Sequence, residues 1–170
     1  MHEQETLRQL FDLYTDELLA ISYSYVKDWP IAEDIIQEVF LTYWKKPTAF
    51  RGESSIKTYL TRAAINRSKD YLKSWRYRTH YLTNEFFASY KQKKRLIEKE
   101  ETFTIGHAIF QLPIEQREII ILYFYKQYTY KEIGELLQIS ETAVRKRMNK
   151  AKETLKKQLI QEEWEVLLHE

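Results

Sequence analysis

Residues 129–155 read TYKEIGELLQISETAVRKRMNKAKETL and contain two helix starts in close succession. Thr129 and Glu132 have the spacing of a capping box, and Ser140 is a second N-cap after a turn at residues 138–139. An apolar stripe follows each cap at helical spacing. The stripe of the first helix contains Ile133, Leu136 and Leu137, and that of the second contains Val144, Met148, Ala151 and Leu155. The stretch therefore predicts a helix-turn-helix.

The second of these helices carries polar side chains opposite its apolar stripe. At about 100° per residue, one arc faces away from Val144, and it holds Thr142, Arg145, Lys146, Asn149 and Lys150. Side chains of these types read base edges and phosphates when a helix enters the major groove of DNA. The stretch therefore predicts a DNA-binding helix, although an ordinary three-helix bundle with a lysine-rich surface has the same composition.

The composition of the whole chain favours long helices and packed cores. Of its 170 residues 44% are hydrophobic, and it has only 3 glycines and 3 prolines, so turns are few. Cysteine is absent, which excludes disulfides and thiol chemistry. No apolar run approaches the roughly 18 residues that indicate a membrane span, and the first residues do not resemble a signal peptide. We therefore expect a cytoplasmic protein.

The net charge of +2 conceals a segregation of charge along the chain. Residues 1–50 carry 4 basic and 9 acidic groups, whereas residues 51–78 carry 8 basic and 2 acidic groups. Residues 129–160 carry 8 basic and 4 acidic groups, and residues 161–170 have four glutamates with no lysine or arginine. Two separate basic blocks suggest two contacts with a polyanion, although lysine-rich helices also carry such charge on solvated faces.

Apolar spacing and helix punctuation predict three helices in the first part of the chain. The first covers about residues 4–27 and the second about residues 30–46, with a proline opening the second and another ending it. The third, capped by Ser54 or Ser55, reaches about Arg78. This basic helix follows the acidic second helix directly.

Residues 79–104 have weak apolar periodicity and many charges, which predicts a linker that is at most partly helical. A second domain follows, in which Leu112-Pro113 separates two helices before the helix-turn-helix. The chain is thus predicted to form two helical domains.

The stretch AEDIIQEVF at residues 32–40 has an apolar face and a separate polar one. The polar side chains are Asp34, Gln37 and Glu38. An acidic patch repels DNA, so in a DNA-binding protein it favours a protein partner, while a plain solvated face has the same appearance.

Several stretches, in order and at the expected separation, resemble the signatures of bacterial sigma factors. The stretch AEDIIQEVF resembles the helix with which sigma factors bind RNA polymerase. The other similar stretches are residues 50–55 (FRGESS), 57–66 (KTYLTRAAIN), 112–118, 132–137 and 142–147. The resemblance covers about residues 7–160, and the short form with two domains is similar to the extracytoplasmic-function group.

The resemblance implies an all-α fold of two small helical domains joined by a linker, the C-terminal one a helix-turn-helix. Its implied divisions are residues 1–78 (sigma domain two), 79–104 (linker), 105–160 (sigma domain four) and 161–170 (acidic tail). It further implies promoter-directed transcription initiation without catalytic activity, cofactor, metal or small-molecule substrate.

The resemblance also assigns contacts residue by residue. Core RNA polymerase would be bound through the clamp helices of its largest subunit by Asp34, Gln37 and Glu38, and also through the flap of its second subunit. The melted minus-ten strand of promoter DNA would be held by Arg51, Lys57, Arg62, Asn66, Lys69 and Lys73. The duplex minus-thirty-five element would be read by Thr142, Arg145, Lys146, Asn149 and Lys150. An anti-sigma factor is an expected further partner.

Four positions depart from the family pattern. Ala63 stands where a branched apolar residue is usual, and Ile65 where the family is often basic or variable. Gln138 occupies the turn, where glycine is common, and Gly134 replaces a common alanine. These departures bear on promoter preference and on the stability of the turn.

Two other classes of protein remain as alternatives. A one-component helix-turn-helix regulator would need a ligand pocket or a dimer face, and it leaves the acidic helix and the basic helix after it unexplained. An enzyme would need a constellation of reactive groups, whereas the four histidines are far apart in sequence and no glycine-rich phosphate loop is present.

Overall fold

The computed structural model describes residues 2–45, 54–74 and 100–159, with side chains from residue 8 in the first stretch and from residue 105 in the last. Within these ranges the chain forms helices and their connecting turns, without a strand. It divides into two compact units, residues 1–87 and residues 88–170. The predicted all-α fold is confirmed.

The first unit contains α1 (His2–Val26), α2 (Trp29–Lys45) and α3 (Ile56–Lys73). Each helix turns an apolar face toward the other two, because its apolar residues recur at helical spacing. The buried side chains are Leu18, Ile21, Tyr25 and Val26 from α1, Ala32, Ile35, Ile36, Val39 and Phe40 from α2, and Leu60, Ala64 and Ile65 from α3. The three faces form one core, which leaves the outer faces of α2 and α3 exposed to solvent.

The turn between α1 and α2 is closed by local hydrogen bonds. Lys27 adopts a left-handed backbone conformation with φ 58°, and its N–H donates to the carbonyl of Tyr23 at 2.8 Å. The carboxylate of Asp28 accepts from the N–H of Ile31 at 3.1 Å, which satisfies one of the free donors at the start of α2. Pro30 lies in the first turn of α2, as predicted.

The third helix begins as predicted but ends earlier. The Ser55 hydroxyl accepts from the N–H of Thr58 at 3.1 Å, so Ser55 is the N-cap. The prediction that α3 reaches Arg78 is wrong, because the backbone at Ser74 is extended (ψ 160°). The Ser74 hydroxyl and N–H both donate to the carbonyl of Tyr71, at 2.6 and 2.9 Å, and this local bonding competes with continuation of the helix.

The second unit contains α4 (Glu100–Gln111), α5 (Ile114–Ile120), α6 (Tyr130–Leu137) and α7 (Glu141–Gln158). The predicted break at Leu112-Pro113 is confirmed, with Pro113 at the N-cap of α5. The start of α4 lies inside the range predicted as linker, because helical structure begins five residues before the predicted start of the domain at residue 105.

A π-helical turn, Ile121–Tyr125, continues α5 and was not predicted. Its closing bond runs from the N–H of Lys126 to the carbonyl of Ile121 at 3.1 Å, one residue longer than an α-helical bond. Within this turn Tyr123 packs against the ring of Tyr130, at 4.9 Å between centroids.

The helix-turn-helix formed by α6 and α7 agrees closely with its prediction. Thr129 and Glu132 form the reciprocal capping box, with bonds of 2.7 and 3.3 Å, and Ser140 caps α7 through a 3.1 Å bond from Ala143. The predicted stripe of α7 is buried, as are Ile133 and Leu136, while Leu137 is half-buried. At the turn Gln138 takes the left-handed conformation, with φ 57° and ψ 45°.

None of the helices in the described ranges has the length and hydropathy that a membrane crossing requires.

Candidate nucleic-acid and protein interfaces

The outer face of α7 presents the five polar residues predicted to read DNA. Thr142, Arg145, Lys146, Asn149 and Lys150 are all exposed, whereas Val144 on the opposite side is fully buried. The five span an arc of about 140° at 100° per residue. The first turns of α7 therefore offer one continuous polar surface with three cations and an amide, which is the chemistry needed in a major groove.

Arg145 is held in place on this surface by two neighbours. Its Nε and Nη2 atoms donate to the same carboxylate oxygen of Glu141, at 3.2 and 2.6 Å. Its guanidinium carbon lies 4.9 Å from the centre of the Tyr130 ring, a cation–π distance. Neither neighbour was singled out from the sequence.

The pKa of Tyr130 is raised above its usual value of 10.0. Burial is the largest cause, the neighbouring phenol of Tyr123 adds to it, and the cation of Arg145 lowers the pKa in opposition. The phenol is therefore protonated at neutral pH, and Arg145 rests on a neutral ring.

Arg147 points away from this face and belongs to the packing of the unit. Its Nη1 lies 3.0 Å from a carboxylate oxygen of Glu118, whose side chain is only 1% exposed, and its Nη2 lies 3.6 Å from Glu115. Because Glu118 is in α5, this ion pair ties α7 to the helix beneath it. The buried guanidinium of Arg117 donates to the carbonyl of Phe110 at 2.8 Å and in the same way ties α5 to α4.

A second polar face lies on α3 in the first unit. Four of the predicted minus-ten residues, spaced by four, three and four, share it within about 60°: Arg62, Asn66, Lys69 and Lys73. Asn66 and Lys73 are exposed, and the ammonium of Lys69 lies 5.8 Å from the centre of the Tyr25 ring. Arg62 is half-buried, with its Nε atom inside the unit. Two exposed and two half-buried side chains thus form the stripe.

Lys57 was predicted to belong with these residues, but it lies about 140° away from Arg62 around the helix. Its ammonium is 3.0 Å from the carboxylate of Glu17 in α1. This pair joins α3 to α1, so Lys57 is not brought together with the stripe. Arg51, also predicted to hold the strand, lies outside the described residues. Tyr59 is half-buried, 6.0 Å from the ring of Tyr43.

The acidic face of α2 is exposed as predicted. Asp34, Gln37 and Glu38 all lie on the surface within an arc of about 100°. Leu41 falls on the same arc and is 53% exposed, which the sequence reasoning missed. Glu38 pairs with Arg67 of α3 at 3.4 Å. The α2 face therefore combines two carboxylates and an amide with one exposed apolar side chain.

Metal-ligating residues do not gather in groups of three or more anywhere in the described ranges. The polar groups that the structure assembles are instead the three surfaces on α2, α3 and α7.

Family models match both parts of the chain. Residues 10–78, which include α2 and α3, match sigma-70 region 2, and residues 103–155, which include α5, α6 and most of α7, match sigma-70 region 4. Together these ranges cover most of the chain.

Relatives with similar sequences include two bacterial proteins. The ECF RNA polymerase sigma factor SigW of Bacillus subtilis is 27% identical over 170 residues, which cover 92% of this chain and 90% of SigW. The probable RNA polymerase sigma factor RfaY of Xanthomonas campestris pv. campestris is 26% identical over 167 residues, which cover 93% of this chain. The match spans 41% of the length of RfaY, so that protein has a large part without a counterpart here.

Solved structures share the fold at lower identity. The sigma factor RpoE of Bartonella quintana, in complex with the anti-sigma factor NepR, matches with a TM-score of 0.66 and 18% identity over 90% of this chain and 96% of the other. CnrH, in complex with the cytosolic domain of CnrY, matches with a TM-score of 0.63 and 20% identity over 89% and 86% of the two chains. With both sigma-70 regions matched in order, and with ECF sigma factors as relatives along nearly its whole length, the chain belongs to the extracytoplasmic-function group of RNA polymerase sigma factors.

Proposed function

We propose that this sigma factor binds core RNA polymerase through the acidic face of α2, holds the melted minus-ten strand on α3 and reads the duplex minus-thirty-five element with α7. The observation that carries the proposal is the placement of three exposed polar faces, one acidic and two basic, on the helices matched by regions 2 and 4. The charge and polar groups of each face complement those of its proposed partner.

The acidic face suits a basic protein surface. Asp34, Gln37 and Glu38 supply carboxylates and an amide, and the exposed Leu41 supplies apolar area that water would otherwise cover. DNA would be repelled here, whereas a protein that offers cations around an apolar contact would be bound. The clamp helices of the largest polymerase subunit are the proposed partner, and the flap of the second subunit is a further proposed contact.

The stripe on α3 suits a single strand. Lys69 and Lys73 supply charge for the backbone, and Asn66 supplies donors and acceptors for the edges of extruded bases. Extruding each base costs a few kcal/mol, roughly, which binding to such a stripe would offset. Lys57 is paired with Glu17 and lies off the stripe, so we give it a supporting role in placing α3.

The face of α7 suits a major groove. Arg145, Lys146 and Lys150 favour guanine or phosphate, and Asn149 favours adenine. Each unit would make only a few phosphate contacts alone, so tight promoter binding would arise when polymerase links the two contacts.

We further propose three properties of the whole protein. It acts without catalysis of its own, because its faces bind and the polymerase supplies the chemistry. It works where the polymerase is, in the cytoplasm. An anti-sigma factor restrains it, by analogy with the complex of RpoE with NepR.

The test is run-off transcription with purified core bacterial polymerase and a randomised promoter library, with and without the full chain. Transcripts that depend on the chain and share two spaced elements would support the proposal. Lys146→Ala should then change the preferred bases in the upstream element only. Lys156→Ala, which removes an exposed lysine from the far end of the same helix, is the matched control and should change neither element.

If core polymerase neither bound the chain nor produced transcripts with it, the assignment of these three faces would be wrong. An altered downstream preference in Lys146→Ala would contradict the role given to α7.

A further inference from the structure

A carboxylate at the start of α7 is unexpected on a surface that would face DNA. Glu141 is the first residue of the helix and is exposed, one turn before Arg145. The N-terminal residues of a recognition helix approach the bases most closely, and there a carboxylate is repelled by the phosphates on both sides. Its interaction with the helix dipole is favourable but needs no particular partner.

The hydrogen bonds of Glu141 give it a more specific role. It accepts from two of the five N–H donors of Arg145, at 3.2 and 2.6 Å, both on the Nε side of the guanidinium. The outer edge of the guanidinium is left to face away from the carboxylate. That edge is the one that a guanine could bind with two parallel bonds.

Tyr130 restrains the same group from another helix. Its ring centre lies 4.9 Å from the guanidinium carbon of Arg145, a cation–π contact made from α6. The ring is itself packed 4.9 Å from the ring of Tyr123, which in turn lies 5.1 Å from the ring of Phe124. Tilted and edge-on ring contacts from the π-helical turn thus hold the Tyr130 ring that Arg145 contacts.

We propose that Glu141 and Tyr130 are positioning residues, which hold the guanidinium of Arg145 in the orientation that reads one guanine of the upstream element. The proposal rests on the proposed function and adds to it the residues that set specificity at one base pair. A free arginine side chain loses much rotational freedom when it binds, whereas a side chain held on two sides has lost it already. Discrimination at that base pair is therefore sharper than for an unsupported arginine.

We expect one substitution, Glu141→Gln, to raise nonspecific binding to DNA and to lower base discrimination. Glu141→Gln removes a negative charge from the DNA-facing surface, so nonspecific binding to duplex DNA should rise about two- to threefold. The same change weakens the hold on Arg145, so discrimination at one base pair should fall roughly three- to tenfold. A residue that served only the stability of α7 would not separate the two.

The experiment uses the full chain with core polymerase and a library randomised at the upstream element, and compares variants for base preference at each position. Arg145→Ala first identifies the base pair that Arg145 reads. Glu141→Gln and Tyr130→Leu should each lower discrimination at that base pair and at no other, with no further effect in the Arg145→Ala background. Tyr130→Phe, which keeps the ring, should retain the preference of the wild type.

The matched control is Glu153→Gln, which removes the same charge from an exposed position on α7 about 18 Å further along the helix. It should leave base preference unchanged. Unchanged preference in Glu141→Gln, or altered preference at several positions, would overturn the proposal. If Tyr130→Leu unfolds the second unit, Glu141→Gln alone decides. Failure of the wild type to direct transcription would instead refute the proposed function.

Discussion

Gly134 lies at a point of the helix-turn-helix where the backbones of α6 and the turn approach closely. A Cβ atom there would lie 2.8 Å from the carbonyl oxygen of Ile139, a backbone atom that cannot move without disturbing the turn. We expect Gly134→Ala to destabilise the second unit by about 1–2 kcal/mol, because the clash outweighs the better helix propensity of alanine. Hydrogen exchange of the α6 and α7 amides measures this. Gly106→Ala, where nothing lies within 4 Å, is the control and should not destabilise the unit.

Gln138 carries strain at the same turn. Its left-handed backbone, with φ 57°, is disfavoured for any residue with a side chain and is easily adopted by glycine. We expect Gln138→Gly to stabilise the second unit by about 0.5–1 kcal/mol, measured by the same exchange experiment. Gln158→Gly removes an exposed glutamine from the helical end of α7 and should destabilise by a similar amount. Equal effects of both changes would contradict the role of the turn.

The contribution of Tyr130 to the stability of the second unit depends on pH. Its raised pKa means that the folded chain favours the protonated phenol more than the unfolded chain does, so its contribution to stability is complete below about pH 10 and is lost as pH rises through the folded-state pKa. Arg145 opposes the shift, and Arg145→Ala should therefore raise the pKa of Tyr130 further. NMR titration of ring-labelled tyrosine measures both. Lys146→Ala is the control, and a lower pKa in Arg145→Ala would contradict this interpretation.

At the scale of the element, the buried pair of Glu118 and Arg147 joins α5 to α7. Glu118 is almost fully buried, whereas the Arg147 side chain is 27% exposed and also lies near Glu115. Arg147→Met should therefore destabilise the unit by about 3 kcal/mol, because it leaves a carboxylate buried without this cation. Glu118→Gln should cost less. Combining the two should recover at least about 1 kcal/mol.

Urea unfolding of the full chain, followed by hydrogen exchange in α5 and α7, measures this coupling. Lys150→Met, at an exposed position of the same helix, is the control for loss of a cation. If the single changes simply add in the double variant, the pair contributes no coupling and the helices are held together by their apolar contacts alone.

These elements also show what could be predicted from the sequence. The caps at Thr129 and Ser140 and the stripe that follows are local signals, with partners three or four residues away, so the helix-turn-helix was predicted almost residue by residue. Helical spacing separates Arg147 from the arc that holds Lys146, but its partner Glu118 lies 29 residues earlier in the chain and could not be identified from periodicity. Only the packing of α5 on α7 makes one of these cations structural and exposes the other.

The same limit applies in the first unit. Lys57 and Lys73 are both lysines of one basic helix, and charge alone groups them together. Their positions around α3 and the presence of Glu17 on the neighbouring helix separate them. The early end of α3 coincides with the hydrogen bonds of Ser74 with Tyr71, and the π-helical turn with the bond from Lys126 to Ile121, and apolar periodicity predicts neither.

At the scale of the whole molecule, two units with different faces imply functions that can be separated by mutation. Asp34→Lys with Glu38→Lys should weaken binding to core polymerase at least about tenfold, because two carboxylates that would meet cations become repulsive. The fold should persist, since the exposed pair of Glu38 with Arg67 contributes at most about 1 kcal/mol. Binding is measured with fluorescently labelled chain and purified core enzyme, with circular dichroism as the check on folding.

The matched control reverses two exposed acids on α1 of the same unit, Asp12→Lys with Asp16→Lys, and so changes the net charge by the same amount. It should bind polymerase nearly as well as the wild type. In the proposal the acids of α2 contact the polymerase directly, whereas those of α1 change only the net charge of the unit. Equal losses in both double variants would mean that polymerase responds to the overall charge of the unit. Loss in the α2 variant alone, with the upstream base preference of any residual transcription unchanged, would assign polymerase binding to that face and leave promoter reading to α7.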